Sequence, residues 1–545
     1  MLFKDFGLYI DDYYRITKIL ISIREGVVEI LTTIFSSPVN VRPLHGAFIY
    51  ALSYAGFSFG GLGGIYIIGF VILSINAILC FVLINTLAKN ELTSLIGSLA
   101  FVLYPASTTK IWITAALGIQ PAITLVLLAF VFYLKEMQWL SYLFVVISLF
   151  CYETVYWVFF AAPLFFYPWN RSIQNKVLKH GIIMACIFAA FFIFKIVGSD
   201  PRLQDSSVSN LLLKSIEHLV EGPFYNLRGQ LFFLVKTATI INTSDIIFLI
   251  IVSMAITLVI SIVGSRKEND NRDLHLIRNG TLVASGNPLF KGNMGNYKLT
   301  LIGMVMLILA YPLTLNGSVQ TVYGMESRFH LSASIGTAFI YAGVCARILS
   351  FFDNLKKGTI GRFLLSIMAS LLLLNGIQIQ KDYRDAYCVQ RRFWQDFLNS
   401  YHNFREDTLI FFETQAVKRF RSIPTFDWSS AYILENIYTF PENWERKPRV
   451  YVVNKPGLSK ILNTMDEITL SDLDKMQFIN VVISSDFGRI IDKKNSFIVY
   501  YDSVPPNRLI SRTTNDFGNR TDKINSGDLN HYSKGVLYKL LLKDI

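Results

Sequence analysis

Charge is what this 545-residue chain has least of: Asp, Glu, Lys and Arg together make up 17% of it. Soluble globular proteins carry about a quarter, so a disordered scaffold, a coiled coil and a water-soluble multidomain enzyme are excluded. Cysteine is scarce and scattered. Cys80, Cys151, Cys186, Cys345 and Cys388 form no CxxC pair and have no histidine at ligand spacing. Most lie in apolar stretches and read as small hydrophobes, not as a disulfide framework or a metal site. A cleavable signal peptide is missing, because MLFKDFGLYIDDYYRITK carries charges where an apolar region should stand. Low-complexity segments and short-period repeats are absent too. The glycine-rich SGNPLFKGNMGN lacks the lysine spacing of a phosphate-binding loop. No basic helix interleaved with stacking aromatics marks a nucleic-acid binder, so nucleic acid is set aside as a partner.

What is present is apolar. Hydrophobic residues make up 52% and the mean hydropathy is +0.42. They arrive in blocks near the length, about 20 residues, that crosses a bilayer. Spanning candidates run over 65–87, 92–107, 117–134, 138–151, 152–168, 178–197, 245–263, 298–315, 330–350 and 361–378. The 138–168 stretch reads as two short helices joined by a tight turn. Ahead of them the first 42 residues are polar and amphipathic. A short apolar helix, Leu44 to Phe57, is cut from the next block by Gly60, Gly61, Gly63 and Gly64.

The net charge of +12 collects in loops. Arg171–Lys179, 264–297 and Arg347–Arg362 are basic, which places them in the cytoplasm. Alternation then puts 1–64, 108–116, 198–244, 316–329 and everything after about 378 on the other side. The tail alternates helical segments such as Arg384–Tyr401 with β-rich runs at Thr408–Phe412, Val450–Val453, Ile479–Ser484 and Ser496–Tyr501. The expected fold class is mainly α, a polytopic bundle of about ten spans with a small C-terminal extracytoplasmic α/β domain. Its parts are an outer loop with membrane-parallel helices over 1–64, a transmembrane domain over 65–378 and the α/β domain over 379–545.

Few residues are placed to do chemistry. Asp11 and Asp12, in YIDDYYR, could take a proton from an acceptor hydroxyl, or one of them could help hold a divalent cation. Taken alone, two adjacent carboxylates are more often solvated loop charges. Their company raises them: Arg42 before Pro43, Lys110 in YPASTTKIW, and Arg328 and His330 in ESRFHLS all fall on the same side by topology. Glu153 lies inside the apolar run SLFCYETVYWV. An intramembrane carboxylate faces a cavity or a partner by default; a helix-end Glu reaching an interface is an equal alternative. Glu153 and His330 are read as cavity-facing. His45 and His180 have no partner at metal-ligand spacing, and no metal site is assigned. Carboxylates beside several cations on an apolar platform suit a lipid-linked sugar phosphate, whose tail needs bilayer and whose phosphate needs Arg or Lys.

The order of these features resembles the C-type glycosyltransferase superfamily, which includes protein O-mannosyltransferases and aminoarabinose transferases. The resemblance rests on DDYYR, RPLHGAFIYAL, YIIGFVILSINAILCFVLINTL, LAFVLYPASTTKIWI, CYETVYWVFFAAPLFF and ESRFHLSASIG in sequence, with KDYRDAYCVQRRFWQDFL leading into an outer domain. Each piece is short. Together they cover roughly residues 8–400, mostly as order and topology.

The resemblance implies a polyprenyl-phosphate sugar donor, and a catalytic acid residue in the first outer loop that maps to Asp11 or Asp12. It gives the donor phosphate to Arg42, Lys110 or Arg328. It implies transfer to a lipid, glycan or protein acceptor outside the cytoplasm, in a bacterial inner membrane; no cofactor is assigned, and a divalent cation at Asp11 or Asp12 stays open. Family members carry a spanning helix before the acidic loop, so the resemblance also implies that either the start of this chain is late or its reading frame is truncated. The tryptophan-rich signature of oligosaccharyltransferases is absent. Competing readings are a flippase for lipid-linked glycans, disfavoured by the lack of two-fold hydropathy symmetry, and a glycan polymerase or ligase.

Overall fold

A computed structural model describes residues 5–25, 42–166, 171–198, 208–239, 247, 251–255, 296–314, 319–322, 324–400, 409–413, 429–441, 443–445, 447–453, 478–482, 496–502, 508–513 and 537. The chain forms two compact units, one of Met1–Ile30 with Lys381–Ile545 and the other of Leu31–Gln380. The span expected over 245–263 and the basic loop over 264–297 lie largely outside the described residues.

In the larger unit, α2 covers Pro43–Ala88 and changes direction at Gly60 and Gly61, where Gly61 has φ +57. The glycine break expected there is present, and it turns the chain sharply. A Cβ on Gly64 would lie 2.1 Å from the Gly56 carbonyl oxygen, so the two limbs touch backbone to backbone. Next come α3 (Glu91–Val102), a π-helical turn (Ala115–Ile119) running into α4 (Gln120–Leu134), and α5 (Gln138–Cys151). The division expected inside 138–168 falls at Tyr152, whose φ of −156 and ψ of 104 are extended. Beyond it the chain forms a 3-10 helix, Glu153–Phe165, in place of the expected α-helix. At about 2.0 Å per residue, a 3-10 helix reaches further than an α-helix of equal length.

The unit continues with α6 (Arg171–Val197), α7 (Val208–Thr239), α8 (Asn296–Leu309), a 3-10 turn (Met325–His330) and α9 (Ala333–Asn354). Helix α7 lies within 198–244, the region that alternation puts on the outer side. Helix α10 runs unbroken over Gly358–Ser400, in place of the expected span and separate helix. No proline interrupts that stretch and its one late glycine, Gly376, is helical.

Among the described residues five helices are long and apolar enough to cross a membrane: Pro43–Ala88, Ala115–Leu134, Ile173–Val197, Ala333–Asn354 and Gly358–Gln395. Glu91–Val102, Gln138–Cys151, Glu153–Phe165 and Tyr297–Leu309 are apolar but shorter. The protein is a helical membrane protein by this measure. Helix–helix contacts use small residues and buried amides, as expected where lipid removes the hydrophobic drive to associate. Asn76 Nδ2 donates to the Gln120 side chain (2.9 Å) and backbone (3.1 Å), while Thr124 Oγ1 donates to Asn76 Oδ1 (2.6 Å).

Glycines fix the direction of packing. Cβ atoms built on Gly97 and Gly303 would meet Ala338 with Ala342, and Gly336 with Ile340. Hence α3 and α8 both run antiparallel to α9. Helix α10 begins beside the other half of α9, where Leu365 packs with Cys345 and Leu349, and Gly376 lies on Leu103. The last turns of α3 and α8, the first turn of α9 and the Asn375–Gly376 part of α10 therefore share one end of the bundle.

The other unit contains α1 (Asp11–Glu25), the 381–400 part of α10, α11 (Ser429–Ile437) and a five-stranded sheet. Its strands are β1 (Leu409–Glu413), β2 (Arg449–Val453), β3 (Phe478–Val482), β4 (Ser496–Asp502) and β5 (Arg508–Thr513), in the order β2-β1-β3-β4-β5. The first four pair in parallel, and β5 joins β4 antiparallel. LIFFE, RVYVV and FINVV are the near-continuous apolar runs of parallel strands. The edge strand β5 has the sequence RLISRT. Helix α1 is held to α10 by Tyr9 Oη donating to the Tyr383 carbonyl (2.9 Å) and Tyr13 Oη donating to Gln390 Oε1 (3.1 Å).

Candidate functional site

The charges that the fold gathers most tightly surround Glu153. Tyr152 is extended, so the 3-10 helix begins at Glu153 and its free N–H groups favour a carboxylate there. Arg42 precedes Pro43, and proline drives the residue before it out of the helical region; Arg42 accordingly has φ −122. Its guanidinium clamps Glu153 with both prongs, Nε to Oε2 at 2.6 Å and the terminal NH2 to Oε1 at 2.5 Å. Lys195, in the last turn of α6, brings Nζ to 3.5 Å from the same Oε1. Side-chain exposures are 12% for Arg42, 7% for Glu153 and 6% for Lys195.

Aromatic rings line the trio. The Arg42 guanidinium sits 4.7 Å from the Tyr152 ring centre, and Lys195 Nζ 5.3 Å from that of Phe191. His45, buried, lies 6.0 Å from Tyr152 ring to ring. The π-helical turn makes room for it: a Cβ on Gly118 would fall 2.3 Å from His45 Cε1. Two cations share one carboxylate in surroundings with little water, so the trio carries net positive charge. Such a trio can hold a phosphate on the end of a lipid tail, with Arg42 offering the N–H groups that Glu153 does not take and Lys195 a point charge.

The remaining expected site residues are placed differently. Lys110 points its ammonium at the carbonyls of Phe101 and Val102, the latter at 3.0 Å, and thereby caps the C-terminal end of α3. Burial lowers that ammonium to about 7, which weakens it as a fixed cation. Arg328 is half-buried, with its guanidinium 5.5 Å from the Phe329 ring centre. The loops that carry Lys110 and Arg328 are tied together: the Thr108 N–H donates to Ser327 Oγ (3.0 Å) and the Gly324 N–H to Thr108 Oγ1 (3.1 Å).

His330 is buried, with Nδ1 2.7 Å from Tyr311 Oη. That hydroxyl accepts from Asn226 Nδ2 (2.7 Å), which also bonds Tyr104 Oη. Gln230 Nε2 donates to Asn226 Oδ1 at 2.5 Å. Asp11, half-buried, and Asp12, buried, stand in the first turn of α1 in the other unit. Of the candidates in the larger unit, Arg42 and Glu153 are the pair brought together.

Lys195 and the partners of His330 in its network, Tyr311, Asn226 and Tyr104, are the residues that sequence reasoning misses. Lys195 had a signal: it is a lone cation in FFIFKIV, the same exception that singled out Glu153. His180 bonds Tyr142 Oη (2.9 Å) and sits 3.1 Å from the Phe159 carbonyl oxygen, buried within α6. Among the described residues no group of three or more His, Cys, Asp or Glu is arranged to hold a metal ion. No family model, curated protein or solved structure matches the chain.

Proposed function

We propose that the protein is an integral-membrane glycosyltransferase that moves a sugar from a polyprenyl-phosphate-linked donor to a lipid, glycan or protein acceptor. The proposal includes about ten spans, cytoplasmic basic loops, and transfer on the extracytoplasmic side of a bacterial inner membrane, where the C-terminal α/β domain also lies. The observation that carries it is the Arg42–Glu153–Lys195 trio, a net-positive cluster set among apolar helices. A lipid-linked phosphate needs both properties at once, since its charge must be neutralised where its tail is buried.

In the reaction the acceptor hydroxyl gives its proton to a carboxylate and its oxygen attacks the anomeric carbon. The bond from that carbon to the phosphate oxygen breaks, and its electron pair leaves on the polyprenyl phosphate. Arg42 and Lys195 stabilise that developing charge. The resemblance implies the base role for Asp11 or Asp12.

Binding tests the phosphate site. A short-chain polyprenyl monophosphate should raise the melting temperature of the detergent-solubilised protein, by about 2.7 kcal/mol of stabilisation at a hundredfold excess over its Kd. The parent alcohol should not. Lys195→Met removes the cation more distant from Glu153 and should weaken the phosphate at least about tenfold, equivalent to 1.4 kcal/mol. Equal stabilisation by the alcohol, or unchanged affinity in Lys195→Met, would contradict the assignment.

A further inference from the structure

Helix α7 is built inside out. Its buried face is rich in polar and small residues: His218, Gly222, Asn226, Gln230 and Thr237, with Phe233. Its exposed face is apolar: Leu213, Ile216, Val220 (72% exposed), Phe224, Leu231 (66%) and Val235. At about 100° per residue these six fall within roughly 100° of arc, directly opposite the buried set. Lys214, Glu217, Glu221 and Arg228 all fall along one flank of that stripe, between it and the buried face.

The partners of the buried face locate the helix. His218 Nδ1 lies 2.8 Å from Thr314 Oγ1, and Gly222 lies against the Tyr311 ring. Asn226 bonds Tyr104 and Tyr311, and Gly229 lies on Val322. Gln230 Nε2 is 3.3 Å from Thr337 Oγ1, and Phe233 clusters with Tyr104, Ala106 and Val322. Thr237 Oγ1 bonds Asn375 Oδ1 at 3.2 Å. Every one of these partners sits at or beside the same end of the bundle, the end where α3 and α8 finish and α9 begins. From 218 to 237 the helix advances about 28 Å, yet it never leaves that level.

We propose that α7 lies in the plane of the membrane, against the side of the bundle within one leaflet, with its apolar stripe in contact with lipid acyl chains. A helix so placed meets protein on one side, acyl chains on the opposite side and headgroups above. Those are the three faces that α7 presents, with the charged flank turned toward the headgroups. Water cannot be the occupant of a stripe this long and apolar. The membrane spans expose apolar side chains of the same kind, such as Ile67, Phe70 and Ile75 on α2. A helix that crossed the bilayer would instead meet partners at both ends of the bundle, and would carry Glu217 and Arg228 through the hydrocarbon.

Site-directed spin labelling of the whole chain in proteoliposomes tests this. With the five native cysteines replaced by alanine, nitroxides are attached through Ile216→Cys, Val220→Cys, Phe224→Cys, Leu231→Cys and Val235→Cys in turn. All five should be relaxed by oxygen, be shielded from a nickel chelate, and share one depth to within one helical pitch, about 5 Å. Labels at Glu217→Cys and Arg228→Cys should be open to the chelate. A depth that changes by about 1.5 Å per residue would overturn the proposal in favour of a span. Relaxation of the stripe by the chelate, or by neither reagent, would overturn it in favour of water or of protein cover. Should the cysteine-free protein fail to fold, the otherwise unchanged Phe224→Trp chain reads the same surface. Its added fluorescence should be quenched by brominated acyl chains and not by iodide, and the reverse would overturn the proposal.

Discussion

Glu153→Leu is expected to be among the most damaging single substitutions in this protein. The Glu153 carboxylate neutralises Arg42 and part of Lys195 in a place where no more than 12% of any of the three side chains meets solvent. Removing it takes a shared counter-charge away from two buried cations. Breaking a buried pair from one side costs about 3–5 kcal/mol, a large part of the whole stability of a folded domain. The folded yield after solubilisation and the melting temperature in detergent would both fall. Lys195→Met should behave quite differently, because it leaves the bidentate Arg42–Glu153 pair intact and removes the more distant 3.5 Å partner. Its cost should stay near about 1 kcal/mol, close to that of an ordinary point substitution. Equal losses in the two variants would show that the trio is not organised around Glu153.

Gly336→Ala carries the second large effect. Gly336 and Gly303 mark the crossing of α8 and α9, and a Cβ on Gly336 would lie 2.5 Å from the Leu307 backbone N and 2.7 Å from the Gly303 carbonyl oxygen. Both obstacles are backbone, so no rotamer change relieves them and the helices must move apart. Overpacking of this kind costs about 1–3 kcal/mol, and Gly336→Leu should prevent assembly of the bundle. Gly181→Ala is the control. It lies in α6, and a Cβ there would meet nothing within 4 Å. Replacing a helical glycine by alanine should be neutral or stabilising by up to about 1 kcal/mol. Melting curves of the three variants in one detergent decide the matter, and a Gly336→Ala protein as stable as the wild type would rule out the close crossing.

How much of this could be read from the residues depended on whether local pattern or long-range contact set the outcome. The break after Phe59 is legible because four glycines crowd between apolar helices, and Gly61 takes the left-handed conformation that glycine permits. Glu153 stands out as a charge in an apolar run. Lys195 is equally visible, yet its position near the end of a span hides it among ordinary helix-terminal cations. Helix α7 escapes a hydropathy reading for a physical reason: its polar face is the buried one, so the average along the helix stays too low for a span. The role of Lys110 is set by carbonyls of the preceding helix, Phe101 and Val102, and no spacing rule announces that reach. The strand β5 is missed because arginines interrupt its apolar run, and its place at the sheet edge depends on pairing with β4.

The central claim is that the protein breaks a sugar–phosphate bond, and the most direct test tracks the donor. Full-length protein is reconstituted into liposomes containing a polyprenyl-phosphate-linked sugar labelled in the sugar, with a panel of lipid, glycan and peptide acceptors. The label should leave the polyprenyl phosphate and appear on an acceptor, and the double variant Asp11→Asn, Asp12→Asn should lose this conversion while remaining folded. A donor that stays chemically intact but changes leaflet would contradict the claim and identify a flippase instead. Full conversion by the double variant would contradict the assignment of the base.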